Sequence, residues 1–225
     1  DIDTPLISFH EYSDDGKLAH LIAKLATSDI ALISDAGTPS ISDPGYKLVK
    51  AAIAAGYTIV PIPGANAATT ALIASGLPTD RYLFLGFLPQ KEKARRDALA
   101  QVAKLPYTLV LYESPHRLVK LLADAALVLG DREVCVAREM TKLYEEMWRG
   151  NLKQSVPYFS DNTKIRGEIT VVIAGASTEQ SQWDQTQIRQ ALANLLASGL
   201  SRKQAATQLA TQSGWRKKQI YNLDI

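Results

Sequence analysis

Two connections constrain this chain more than any other feature of it. The first, Asp35–Gly45 within LISDAGTPSISDPGYKL, sets Asp35, Ala36, Gly37, Thr38 and Pro39, then Ser42, Asp43, Pro44 and Gly45, directly behind an apolar run. The second, PIPGANAATT, sets Pro63-Gly64 and the small residues Ala65, Asn66 and Ala67 ahead of an Ala-rich helical stretch. Residues this small let a ligand approach the backbone, whose N–H groups can then hold it. Pro39 and Pro44 hold the first loop's shape at little entropic cost. At a helix start the free N–H groups suit a carboxylate. A tight double turn without a ligand, and a plain N-cap at Asn66, remain the simpler readings of the same residues. No G-x-G-x-x-G signature and no Walker loop is present, so the usual nucleotide readings do not apply.

The loops sit in an alternating pattern. PLISF, DIALIS and TIVPI predict strands, and Asp15–Ala26 predicts a helix with Leu18, Leu21, Ile22 and Leu25 on one face. YKLVKAAIAA predicts a helix closed by Gly56, and AATTALIAS one ended by Gly76. This βαβα order implies a mostly parallel sheet with ligands at the carboxyl ends of its strands, where both loops fall. After RYLFLGFLP the pattern restarts: a charged helix from near Lys91, the strand YTLVLY, a helix from Pro115 to Leu129, then EVCVAR, YEEMWRG and GEITVVIAG. That second α/β region has more hairpin character. Ser177–Gln185 reads as a polar linker, and from Asp184 the chain is helical to its end. A length of 225 residues suits two domains with an appendage. The fold class is α/β: one α/β domain over 1–80, a second over 81–176, and a small C-terminal helical, helix-turn-helix-like module over 184–225.

Charge is informative by position rather than by sum, since the net charge is only +2. KEKARR puts Lys91, Lys93, Arg95 and Arg96 at the opening of a helix, where cations oppose the helix dipole. Phosphates as partners would explain that cost; a solvated helix face is the bland alternative. The segment LSRKQAATQLATQSGWRKKQIYNL has Ser201 as a helix cap, Gly214 at a turn, and Arg202, Lys203, Arg216, Lys217 and Lys218 against Asp224 alone. That is a nucleic-acid footprint, unless the hairpin merely docks on the enzyme core. Cys135 is the only cysteine, in the apolar run EVCVA, so no internal disulfide forms and a reducing, cytoplasmic setting is expected. No stretch reaches membrane-spanning length, and DIDTPLISFHEYSDDG has no signal-peptide pattern. It also lacks Met and reads as starting inside a fold. No His/Cys cluster offers a metal site.

ISDAGTPSISDPGYKLV, PIPGANAATTALIASGLPTDRYLFLGFLP, LYESPHRL and AREMTKLYEE, in that order, resemble the tetrapyrrole methylase superfamily of S-adenosylmethionine-dependent enzymes. Within it they resemble most the branch that methylates the ribose 2′-hydroxyl of a cytidine in small-subunit (16S) ribosomal RNA. The resemblance runs from about His10 to the C-terminus. It implies a cofactor folded into a cleft between two α/β domains. Asp35, Ala36, Gly37, Thr38 and Pro39 would line that cleft, with Ser42 and Asp43 nearby. Ala65, Asn66 and Ala67 would meet the cofactor's amino-acid end, and Tyr112, Glu113 and Met140 its adenosine. It also implies a homodimer, ribosomal RNA or the 30S subunit as partner, and no membrane. The family's opening strand with its P-T-P-I-G-N-L-like loop, and a later A-E-D-T-R-like segment, have no counterpart here, and HEYSDDG departs from the family's H-x-H-N-E.

A ribose hydroxyl is a weak nucleophile, so such an enzyme must place it in line with the methyl and remove its proton. Glu113, His116, Glu139 and Lys142 are the titratable groups near the ends of second-domain strands, with Glu113 and Lys142 as the catalytic candidates. Helix capping around Pro115 and a surface ion pair are their structural alternatives. Lys91, Lys93, Arg95, Arg96 and Arg117, with Arg202, Lys203, Arg216, Lys217 and Lys218, are the candidate RNA contacts. A porphyrin-precursor methylase and a catalytically silent RNA-binding relative are the competing functional readings.

Overall fold

The computed structural model describes residues 3–10, 12–161, 165–177 and 183–224. The chain forms two compact units, Asp1–Gly175 and Ala176–Ile225.

The first unit is organised by a five-stranded sheet. Its strands β1 (Tyr82–Phe87), β2 (Thr108–Glu113), β3 (Glu133–Arg138), β4 (Glu146–Asn151) and β5 (Ile169–Ile173) lie in the order β1-β2-β5-β3-β4. β1 and β2 are parallel; every other pairing is antiparallel. The two-residue period of a strand sorts its side chains onto two faces. Leu109, Leu111, Val134, Val136, Val171 and Ile173 enter one core, and Val110, Cys135, Ala137 and Val172 the other. The first core is covered by α4 (Glu92–Val102), α5 (Pro115–Leu129) and α6 (Leu152–Asp161), through residues such as Leu99, Leu121 and Phe159. The second is covered by α3 (Ala67–Ser75), which brings Ala68, Ala71 and Leu72 against the sheet. Small residues on both sides let this helix approach closely, as its Ala-rich sequence demands.

The helices α1 (Asp15–Lys24) and α2 (Tyr46–Ala54) form where their apolar periodicity places them, with Leu21, Leu48 and Ala52 buried. The strands expected at PLISF, DIALIS and TIVPI do not form: among the described residues no strand precedes Tyr82, so the expected parallel sheet of the first region is not seen. A strand is a property of a pair, because its N–H and C=O groups need a neighbour's ladder. These segments find none, and Leu6, Ile33 and Ile62 stand 84%, 70% and 82% exposed. Periodicity reports an apolar face; it cannot report whether a neighbour supplies the bonds. The opposite surprise is α6, hidden in the sequence by Pro157 in its interior. Proline usually marks a helix boundary, yet here Leu152, Ser155 and Phe159 are buried along one face and the helix persists.

In the second unit, α7 (Gln185–Ala197), α8 (Arg202–Ser213) and α9 (Lys217–Tyr221) surround Ile188, Leu192, Ala205, Ala206, Leu209 and Ile220. Asp184 with Gln187, and Ser201 with Gln204, form reciprocal capping boxes. Gly214, at φ +70°, ends α8 in the left-handed conformation that glycine tolerates. Most of the expected linker, residues 178–182, lies outside the described residues. Among the described residues no helix is long and apolar enough to cross a membrane.

Candidate functional site

The two small-residue loops meet. Thr38 Oγ1 donates to the carbonyl of Ala65 at 2.8 Å, joining loops that are 27 residues apart in sequence. The first loop is tightly folded: Gly37 has φ +72°, and Ser40 and Ser42 also sit in the left-handed region. At Gly45 (φ +148°) a Cβ would strike the side chains of Ser40 and Leu32. Asn66 caps α3, its Oδ1 accepting from Thr69 N at 3.2 Å. The neighbouring N–H, that of Ala68, donates to the Tyr112 hydroxyl at 3.2 Å and so ties the start of α3 to the end of β2. Burial pushes the Tyr112 phenol up, so it stays protonated, and Phe84 and Phe87 pack on its ring at 4.9 and 5.7 Å.

These elements enclose a cavity of about 460 Å³, within the range of small-molecule and cofactor sites. Of the residues expected from sequence, Ala36, Gly37, Thr38, Ser42, Asp43, Ala65, Asn66, Ala67, Tyr112, Glu113, Met140 and Lys142 line it. Asp35 and Pro39 flank the lining without joining it. Phe87, Ser114, Thr141 and the run Gly167–Thr170 also line it, and none was anticipated. They sit at the ends of β1, β2 and β5 and in the loop after β3, which only the sheet order brings together. Gly167 carried the one sequence signal, a glycine just before a strand.

Glu113 is buried at the end of β2. Its Oε1 accepts from Ser114 N at 2.8 Å, and its Oε2 lies 3.2 Å from Arg117 Nη2 without accepting a hydrogen bond. His116 is exposed and does not line the cavity. Lys142 Nζ lies 3.0 Å from both Glu139 Oε1 and Glu168 Oε2. These two carboxylates, Glu139 first, push the lysine up. The Glu139 carboxyl is held below its usual range, first by the Glu168 N–H and then by Lys142. Among the described residues no cluster of His, Cys, Asp and Glu could hold a metal ion.

The candidate RNA contacts separate into arginines engaged within the fold and exposed cations, with Arg216 among the latter. Arg95 is buried, bonding Asp124 and the Gln90 carbonyl, which corrects its assignment to the surface. Arg96 is engaged by Asp124 and Glu92. Arg117 forms an ion pair with Glu113 and donates to the Leu88 carbonyl, and Arg202 donates to the carbonyls of Tyr221 and Leu223. Lys91, Lys93, Lys203, Arg216, Lys217 and Lys218 stay exposed. A guanidinium's five donors in a rigid fork suit carbonyl and carboxylate acceptors inside a fold, whereas an ammonium prefers water.

The small-residue loops, the cavity at strand ends and the mixed sheet define an α/β protein with a cleft of cofactor size. Residues 10–155 match the family model of the Tetrapyrrole (Corrin/Porphyrin) Methylases, and the chain belongs to this family. It is 46% identical over 227 residues to the ribosomal RNA small subunit methyltransferase I of a Synechocystis species, covering 100% of this chain and 81% of that protein. It is 37% identical over 228 residues to the protein of that name from Bacillus subtilis, covering 99% of this chain and 78% of the relative. The fold is similar to that of the methyltransferase CobJ, with TM-score 0.54 and 18% identity over 71% of this chain and 70% of that one. It is also similar to the cobalt precorrin-4 methyltransferase CbiF, with TM-score 0.52 and 16% identity over 70% and 69%.

Proposed function

We propose that this protein is an S-adenosylmethionine-dependent methyltransferase acting on the ribose 2′-hydroxyl of a cytidine in small-subunit ribosomal RNA. One observation carries the reading: the loops joined by Thr38 and Ala65 converge with Tyr112, Glu113 and Met140 on one cavity. That cavity lies in a chain 46% identical over its full length to a relative named for small-subunit RNA methylation.

The residues present suit the cofactor. Glu113 offers a buried Oε2 without a donor, beside a cavity walled by small residues. Ala65, Asn66 and Ala67 at the start of α3 would receive its carboxylate, and Tyr112 and Met140 would flank its adenosine. Bound there, S-adenosylmethionine supplies an electrophilic methyl on a sulfonium. The chain's own contribution is placement, and well-oriented reactants reach effective molarities of about 10⁵ M or more. A base adds roughly 10²–10⁴-fold. Lys142, held as an ammonium by two carboxylates, serves as a fixed cation, which leaves Glu113 as the better-placed acceptor. The exposed cations Lys91 and Lys93 on α4, with Lys203, Arg216, Lys217 and Lys218 of the C-terminal helices, would hold RNA phosphates. Residues of both ranges that the sequence pattern suggests, 1–80 and 81–176, line the cavity. A cytoplasmic homodimer completes the reading.

Calorimetry with S-adenosylmethionine, then methyl transfer to purified 30S subunits, free RNA and uroporphyrinogen, tests it. Transfer to 30S subunits or RNA supports the reading. Transfer to uroporphyrinogen alone makes the protein a porphyrin-precursor methylase, and absence of cofactor binding removes the enzymatic reading.

A further inference from the structure

We propose that Glu139 is a positioning residue that, with Gly167, latches the loop after β3 and fixes Met140 in the cavity. Glu139 and Thr141 have φ +49° and +65°, a region that few non-glycine residues enter, and Met140 lies between them. Two exceptions of this kind, one residue apart, persist only where the surroundings over-determine them.

The surroundings do so here. Glu139 N donates to the Glu168 carbonyl at 3.0 Å, and Glu168 N returns a bond to Glu139 Oε1 at 2.8 Å. Lys142 Nζ reaches the same Oε1 at 3.0 Å. Downstream, Thr141 N donates to the Glu145 carboxylate at 2.6 Å. The seat is shaped by Gly167, where φ is +91° and a Cβ would overlap the Glu139 carboxyl. The latch therefore joins the β3 loop to the start of β5 and presents Met140, Thr141 and Lys142 to the cavity. The inference rests on the cofactor reading above only for what Met140 touches.

The chain has two methionines, Met140 and Met147, so ¹³C-methyl labelling gives one signal from the latch and one from β4. In Glu139→Ala the Met140 signal is expected to move to an averaged, unstructured position while Met147 keeps a dispersed, narrow line. Glu139→Gln, whose amide oxygen still accepts from Glu168 N, is expected to restore it. Gly167→Ala should reproduce Glu139→Ala, and the double variant should be no worse than Gly167→Ala alone, as coupled neighbours require. Calorimetry with S-adenosylhomocysteine should show affinity weakened about tenfold or more by Glu139→Ala, since small misplacements at such sites are costly. An unmoved Met140 signal in Glu139→Ala overturns the latch. Collapse of both methyl signals overturns it too, because the pair would then support the whole fold. A wild-type chain that binds no S-adenosylhomocysteine sinks the cofactor reading, while the methyl signals still decide the latch.

Discussion

Arg95 Nε donates to Asp124 Oδ2 at 2.7 Å with both side chains buried, so the third cation of the basic KEKARR run is a structural strut between α4 and α5. Arg96 bonds the other oxygen of the same carboxylate at 2.6 Å. What looks in sequence like a phosphate-binding cluster is, for these arginines, an internal network.

Asp124→Ala should therefore unfold the protein more easily, by about 3–5 kcal/mol, because it strands Arg95 as a buried, uncompensated charge. Urea denaturation measures this. A loss below about 1 kcal/mol would mean that the network is solvated and dispensable.

The Cys135 thiol is pushed up by burial between β5 and β4. The native protein should resist a thiol reagent at neutral pH and react only in denaturant, since the thiolate is the reactive form. Cys135→Leu should cost about 1–3 kcal/mol by overpacking against the small residues of α3. Rapid labelling of the native chain is the result that contradicts this packing.

Glu113→Gln separates two roles of one carboxyl. If Glu113 takes the ribose proton, kcat falls roughly 10²–10⁴-fold with the cofactor KM little changed. If it serves only to bind the cofactor, that KM rises and kcat holds. The expected result is the first.

The Glu139 carboxyl lies below its usual range in the fold, held first by Glu168 N–H, then by Lys142, with Arg138 also favouring its charge. A depressed carboxyl contributes stability that is present above the unfolded value and lost as pH falls through the folded one. The stability of the fold should therefore hold from neutrality down through the ordinary carboxylate range and fall only below it, as urea denaturation across a pH series measures. Lys142, raised by Glu139 and Glu168, keeps its charge through the ordinary lysine range, and its contribution is lost only as pH rises through that raised value. A midpoint near neutrality would contradict this arrangement.

Lys203→Ala and Lys217→Ala should each lower the slope of log affinity against log salt by about 1, if each meets a phosphate. Arg202 is spent on the carbonyls of Tyr221 and Leu223, so Arg202→Ala should cost helical stability instead. Filter binding across a salt series, with thermal melting beside it, distinguishes the two.

Much of the site was legible because its signals are local. Small residues and prolines behind apolar runs, Asn66 ahead of an Ala-rich helix, and the caps at Asp184 and Ser201 each act within one turn of the chain. The link of Gly167 and Glu168 to Glu139 was not legible, because they lie 28 and 29 residues from it and meet it only through the sheet order.

The sequence by itself determined the helices other than α6, many of their ends and the small-residue loops, because dihedral preference and apolar periodicity are properties of neighbours in the chain. Tertiary structure alone decided which apolar runs became strands and which cations faced water. A ladder and an ion pair each need a partner from elsewhere in the chain. DIALIS found no partner, and Arg95 found Asp124.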